Sequence, residues 1–356
     1  MKSNIIERAL AGKFVLIAEI GVNYYDIAKK MNITPMEAAK LMIDEAKKAG
    51  IHAVKFQTYK AETLAAKDSP YYWDIKEEPT KSQHELFKKF DSFGYNEYKE
   101  LSEYCKKIDI EFLSTAFDFE SADYLDELMN VYKISSSDLS NLPFIEYQAK
   151  KNKPMLLSIG ASNVDEIDKA IKTIRDNNDK PLVLLHCVLE YPTPYEHANL
   201  NKIASLKERY KDLIIGYSDH TKPDECYDVI KTAYNLGAIV VEKHYTLDKT
   251  LKGNDHYHAM NPEDAKNMIN GIEFIEKMRG SYELKCLDTE LKARSNARRS
   301  IVSLGKINKG DIITKEMLTY KRPGTGISPT EVDSLIGKKA VLDIEDDTIL
   351  KYDMFE

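Results

Sequence analysis

Polar and ionisable residues recur in this chain at one kind of place, the C-terminal end of a short apolar run. Glu19 and Asn23 end the first run, Lys55 and Gln57 sit on the second, and Lys133 precedes Ser135, Ser136, Ser137 and Asp138 on the fourth. His186 lies on the sixth, Ser218, Asp219 and His220 end the seventh, and Glu242 and His244 sit on the eighth. Lys55 and Gln57 are two positions apart, as are Glu242 and His244, so each pair shares one side of an extended strand. If that side faces inward, two lysines, two histidines and several carboxylates meet in one cavity. Lys55, Lys133 and the Ser135 to Ser137 hydroxyls would supply donors for a phosphate and a carboxylate, which points to a small anionic substrate. His220 and His244, with Asp219, Glu242 and the 253–256 stretch nearby, form a candidate metal pair with positions left for substrate or water. Imidazole with oxygen ligands suits Mn²⁺, Co²⁺, Fe²⁺ or Zn²⁺. One lysine or histidine on a strand is ordinary packing; six strands repeating the pattern make a site.

The elements that would position these residues are eight β-branched runs, at 14–21, 52–58, 110–117, 131–136, 154–160, 182–188, 214–220 and 239–245. Amphipathic stretches separate them, such as PMEAAKLMIDEAKKAG, with Pro35 near its start and Gly50 past its end. Alternating strands and helices of this kind predict an α/β fold, a (β/α)₈ TIM barrel. An open doubly wound sheet is the rival, but no G-x-G-x-x-G follows the first run. The connection at 59–93 is long, carries Tyr71, Tyr72 and Trp73, and is expected to form a lid over the barrel mouth. Beyond residue 280 the style changes. The expected domains are a barrel at 1–282, a linker at 283–295 and a small β-rich domain at 296–356, whose limited core calls for a docking surface.

The 356 residues are 43% hydrophobic and 31% charged, ordinary for a globular chain, with a net charge of -7. Interspersed charges of that balance argue against nucleic-acid binding. No apolar run reaches the roughly 18 residues of a membrane span, and the start lacks the apolar core of a signal peptide, so a cytoplasmic location is expected. Cys105, Cys187, Cys226 and Cys286 lie far apart, which predicts buried reduced thiols rather than disulfides or a zinc knot. There is no Walker loop, so nucleotide is not the expected substrate.

With these residues in view, the chain resembles the sialic acid synthase family over nearly its whole length. The matching segments are IAEIGVN, VKFQT, YKISSSDLSN, LLHCVLEYPTPYE, GYSDHT, VEKHYTLD with KGNDH, and KRPGTGI, in that order. The resemblance implies a barrel followed by an antifreeze-like (SAF) domain, and a homodimer in which that domain covers the partner's site. It implies a transferase that condenses phosphoenolpyruvate, water and an N-acetylmannosamine-type acylamino sugar into a sialic-acid-type nonulosonic acid and phosphate, by C–O cleavage. By the same resemblance His220 and His244 hold a divalent metal ion, Mn²⁺ or Mg²⁺ first and Co²⁺ as a further choice, on the aldehyde oxygen of the sugar. Lys55, Lys133, Ser136 and Ser218 match the phosphoenolpyruvate contacts. Glu19, Gln57, Asp138 and Asp255 match positions that touch sugar or move protons and water, with Glu19 the candidate for activating water and Glu242 grouped with the catalytic residues. Asn23 and Tyr191 join the substrate contacts, and Arg322 matches an arginine offered to the sugar.

The chain also departs from the family pattern. Tyr24 replaces a common His, Leu189 replaces Asn or Ser beside the phosphate, and Asp138 replaces a Glu, while His256 and His258 are additions of open role. Tyr24 and Asp138 suggest a different sugar or sugar phosphate. The alternatives are a sialic acid 9-phosphate synthase or a legionaminate or pseudaminate synthase using a phosphorylated or diacetamido sugar. Further rivals are a Schiff-base aldolase, and a carbohydrate-binding or ice-binding protein with a relic barrel.

Overall fold

The computed structural model describes residues 3–253 and 255–356; Asn254, within the KGNDH segment, lies outside the described residues. Two compact units divide the chain, Met1–Arg279 and Gly280–Glu356. The first contains eight parallel strands: β1 (Val15–Gly21), β2 (Ala53–Thr58), β3 (Glu111–Ala116), β4 (Tyr132–Ile134), β5 (Met155–Ser158), β6 (Leu182–Cys187), β7 (Ile214–Asp219) and β8 (Val240–His244). They run in the order β3-β2-β1-β8-β7-β6-β5-β4, and β3 packs beside β4 to close the barrel. All eight expected runs are strands. The fourth is shorter than its sequence run, because the chain leaves the sheet after Ile134 and turns into a 3₁₀ segment at Ser136–Asp138.

The two-residue period of a strand sorts the barrel into an apolar floor and a polar ceiling. Val15, Ile17, Ala53, Leu113, Val131, Leu156, Val183, Leu185 and Val240 form one buried interior cluster. Ile5, Ile6 and Ala9 of the helix Asn4–Leu10 complete it and plug the floor. Glu111 Oε2 accepts the Ile5 N–H at 2.9 Å, fixing the start of that plug. Two positions further along the same strand faces stand Glu19, Lys55, Thr115, Lys133, Ser158, Cys187 and Glu242. The opposite strand faces, including Leu16, Ala18, Ile20 and Phe56, bury against helices such as Pro35–Lys48, whose Ala38, Met42 and Ile43 share their cluster. Thr34 and Glu37 cap that helix reciprocally.

In the second unit, β9 (Ser300–Ser303) and β10 (Leu318–Lys321) pair antiparallel. Ile301, Ile307, Ile313, Leu335 and Leu350 belong to its small core. The stretch expected to be plain linker contains a 3₁₀ turn at Asp288–Glu290 and the helix Leu291–Ala297, exposed throughout. All four thiols are free; Cys105 and Cys187 are buried, but Cys226 and Cys286 are exposed, contrary to the expectation for those two. Among the described residues no helix is long and apolar enough to cross a membrane.

Gly216 marks a close approach within the barrel wall. A Cβ there would stand 2.4 Å from the Val240 carbonyl oxygen and 2.4 Å from Leu185 Cδ2, and the backbone atom cannot step aside. Gly216→Ala should therefore cost about 1–3 kcal/mol or more through overpacking, read as a lower urea midpoint. An unchanged midpoint would contradict this packing.

Candidate active site

At the ceiling of the barrel, Lys55 and Lys133 lie buried among Glu19 and Glu242. Lys55 pairs directly with Glu19 Oε2 and lies 3.7 Å from Glu242 Oε1, which is 3.4 Å from Lys133 Nζ. Gln57 Nε2 donates to Glu19 Oε1 at 2.9 Å, and Lys55 Nζ to Thr115 Oγ1 at 3.1 Å. Burial, opposed by Lys55 and reinforced by Glu242, pushes the Glu19 carboxyl up to about 7. Burial would also raise Glu242, but Lys133 and Lys55 outweigh it and hold that carboxyl below its usual range. Lys133 is pulled below the ordinary lysine value by burial, with Glu242 acting against the pull. The adjoining hydroxyls complete a donor set. Ser136 Oγ accepts the Gly160 N–H at 2.8 Å, Ser218 Oγ reaches Glu242 at 3.4 Å, and the buried Ser158 hydroxyl has no partner among the described residues.

The histidines stand at the rim of the same cavity. The His220 and His244 rings lie 5.4 Å apart, and Tyr191 sits 4.1 Å from His220 and 6.0 Å from His244 by ring centroids. His220 Nδ1 lies 2.7 Å from the Val188 carbonyl oxygen, which can only accept, so Nδ1 carries a proton and Nε2 is the nitrogen left for a ligand. His244 Nδ1 is buried without a hydrogen-bond partner among the described residues, 3.8 Å from Asp255 Oδ2. Burial, then the neighbouring His258 and His220, hold His244 well below its ordinary value, which keeps the ring neutral and able to ligate. Among the described residues, His244, Asp255 and His258 each bring a ligand atom within 4.8 Å of one another.

A second cavity adjoins the first across Gln57, Tyr191 and His244. Asn23, Asp26 and Asp255 line one part of it, and Asn23 is fixed by its amide donating to the Tyr245 carbonyl at 3.0 Å. The rest of its wall comes largely from the long 59–93 connection, through Tyr59, Tyr72, Leu86, Phe87 and Phe90. That connection is braced by its own buried Trp73, whose Nε1 donates to the Glu78 and Thr80 carbonyls. Among the described residues no lysine or arginine lines this second cavity. A larger cavity of about 340 Å³ opens at the other end of the barrel, around Asn4, Lys106 and Glu111, away from the strand ends where barrel chemistry converges.

Glu19, Lys55, Gln57, Lys133, Ser136, Tyr191, Ser218, His220, Glu242 and His244 thus line one cavity, and Asn23 and Asp255 line the next. Asp138 stands on the 3₁₀ turn, bonded to Asn141 at 3.3 Å, outside the lining of both. Arg322 belongs to the second unit, where it is exposed. Three sequence readings need correction, the first two because alternate strand residues face the helices and the third because its helix buries it. His186 bonds the Ala198 carbonyl at 2.8 Å and stacks on Tyr217. Asp219 is paired with buried Lys243 and bonded to Tyr217 and Thr221, so it does not stand with the metal candidates. Tyr24 lies in the core against Phe56 and Phe93, so its exchange for His carries no message about the sugar. Leu189, by contrast, does line the anion cavity. The sequence reading passed over Thr115, Ser158 and Cys187, although each falls two positions beyond an apolar floor residue.

Family models match this chain in two segments: the NeuB family over residues 42–283 and the SAF domain over residues 298–356. The N,N'-diacetyllegionaminic acid synthase of Legionella pneumophila is 36% identical, with 96% of this chain and 94% of that protein covered. The N-acetylneuraminate-9-phosphate synthase of Homo sapiens is 31% identical, with 94% and 91% covered. Among solved structures, the N-acetylneuraminic acid (sialic acid) synthetase of Leptospira borgpetersenii, crystallised with citrate, superposes with a TM-score of 0.68 at 32% identity, covering 79% of this chain and 90% of that one. A barrel whose ceiling gathers two lysines, two glutamates and a histidine cluster, followed by a SAF domain, together with these matches, places the chain in the NeuB family.

Proposed function

We propose that this protein condenses phosphoenolpyruvate with the open-chain form of an unphosphorylated acylamino aldose, adding water and releasing inorganic phosphate to give a nonulosonic acid. The observation that carries the reading is the pair of buried ammonium groups, Lys55 and Lys133, among the hydroxyls of Thr115, Ser136, Ser158 and Ser218. One carboxylate and one phosphate on a three-carbon frame fit such a donor set. C3 of phosphoenolpyruvate attacks the aldehyde carbon, whose oxygen takes up a proton, and C2 is left electron-deficient. Water then adds at C2 and gives up a proton, and the C2–O bond breaks as phosphate leaves with the former bridging oxygen. Glu19 is the candidate to take the proton from that water or to stabilise the positive charge at C2. The unpartnered buried nitrogen of His244 and the free Nε2 of His220 fit a divalent ion. Bound there, such an ion would supply Lewis-acid polarisation of the aldehyde.

The second cavity supports the choice of acceptor. A phosphorylated sugar end would meet Asp26, Asp255 and aromatic rings there, with no lysine or arginine among the described residues of that lining and only the Arg322 proposed below to offset its charge. Acetamido methyl groups suit the Phe87 and Phe90 wall, so a diacetamido sugar of the kind named for the Legionella relative is favoured over a sugar phosphate. The resemblance adds the proposal of a homodimer in which Arg322 of one copy reaches the sugar held by the other.

Phosphate release from phosphoenolpyruvate should appear with an uncharged diacetamido hexose, exceed that with a hexosamine 6-phosphate by at least about 100-fold in kcat/KM, and vanish on chelation. Label in the bridging oxygen should emerge in phosphate. A preference for the 6-phosphate, or label retained in the sugar acid, would count against the reading. Because Glu19 must be ionised to accept a proton, kcat/KM should climb with pH and level off above about 7. Glu19→Gln should remove that limb and about 10²–10⁴ of the rate; an unchanged profile would exclude Glu19 as the base. Mixed dimers of Arg322→Ala and His220→Ala chains should regain part of the activity that each variant lacks alone, and their failure to do so would argue against the shared site.

A further inference from the structure

Two added histidines follow Asp255, and the structure treats them differently. His256 is fully buried and satisfied at both ring nitrogens, with Thr246 Oγ1 at 2.8 Å from Nδ1 and Asp26 Oδ2 at 3.3 Å from Nε2. His258 is equally buried, yet neither of its ring nitrogens has a hydrogen-bond partner among the described residues. Buried polar atoms are paired as a rule, so an imidazole orphaned at both nitrogens calls for a missing partner. Its ring centroid lies 4.9 Å from that of His244, whose Nδ1 is orphaned as well, and the Asp255 carboxylate completes the group. The Met260 N–H donates to the His244 carbonyl at 2.8 Å, which fastens the segment carrying His258 to the end of β8.

We infer that His258 is a third imidazole ligand of the metal, joining His244 and Asp255, with His220 across the His244 ring. The inference rests on the metal-dependent reading above and changes its character. His244, His258 and Asp255, whose ligand atoms lie within 4.8 Å of one another, with the His220 ring centroid 5.4 Å from that of His244, would form a nitrogen-rich set suited to Zn²⁺, Co²⁺ or Fe²⁺, whereas Mg²⁺ prefers oxygen. Two histidines alone would discriminate less. The ligand segment and the strand end would also be joined through the ion.

The test is Co²⁺ titrated into the metal-stripped full-length protein, followed by its visible absorption and by competition with a chromophoric chelator. Wild type should bind one Co²⁺, and His258→Ala should bind it at least about tenfold more weakly with an altered absorption band. His258→Gln keeps most of the side-chain volume if the alanine variant does not fold, and it should show the same loss. Affinity and spectrum equal to wild type in a folded variant would overturn the assignment of His258 while leaving a metal enzyme intact. If wild type takes up no Co²⁺, the metal reading itself falls, and the ligand assignment falls with it.

Discussion

Four buried charges set the terms for the rest of this structure. Moving one ammonium or carboxylate out of water costs several kcal/mol even after the protein relaxes. Lys55 and Lys133 remain charged only because Glu19 and Glu242 stand within a few ångströms, and the glutamates need the lysines for the same reason. The balance is not even. Glu242 faces both lysines and stays ionised, whereas Glu19 is driven toward neutrality near pH 7. Under the proposed function, an entering anion would compete with the carboxylates for the lysines, exchanging one set of negative charges for another.

Such a layer can form only where the backbone around it is rigid and the space beneath it is closed. The apolar floor and the Asn4–Leu10 plug provide the closure. Small residues provide the close approaches. Gly21 adopts φ of +53°, at a register shift in the β1–β2 pairing, and a Cβ there would stand 3.2 Å from both Gln57 Nε2 and Glu19 Oε1. Glycine at that position lets the Gln57–Glu19 hydrogen bond form beneath the chain.

A second buried ion pair works from the outer face of the barrel wall. Lys243 lies between Glu242 and His244, and Asp219 between Ser218 and His220, so both point away from the cavity and meet each other. Lys243 also donates to the Thr221 carbonyl, and Asp219 accepts the Thr221 N–H at 2.9 Å. This contact fastens the end of β7 to β8 in one register. By the two-residue period, the same register turns Ser218, Glu242 and His244 toward the cavity.

The sequence by itself determined the eight strands, the barrel, the change of style near residue 280 and most of the cavity, because strand alternation is written in the spacing of residues such as Lys55 and Gln57. It determined less about direction. His186 and Asp219 looked like site residues because they are polar and near strand ends, but the parity of β6 and β7 turns them to the helices and presents Cys187 and Ser218 instead. Parity relative to the barrel axis is a property of the closed sheet, since only closure decides which face is inside. Tertiary structure alone separated His256 from His258, two residues of one type on one segment. The first is satisfied by Thr246 and by Asp26, which is 230 positions away; the second is left facing His244. Partners that distant in sequence leave no local pattern, and the pairing of a buried polar atom exists only once the chain has packed around it.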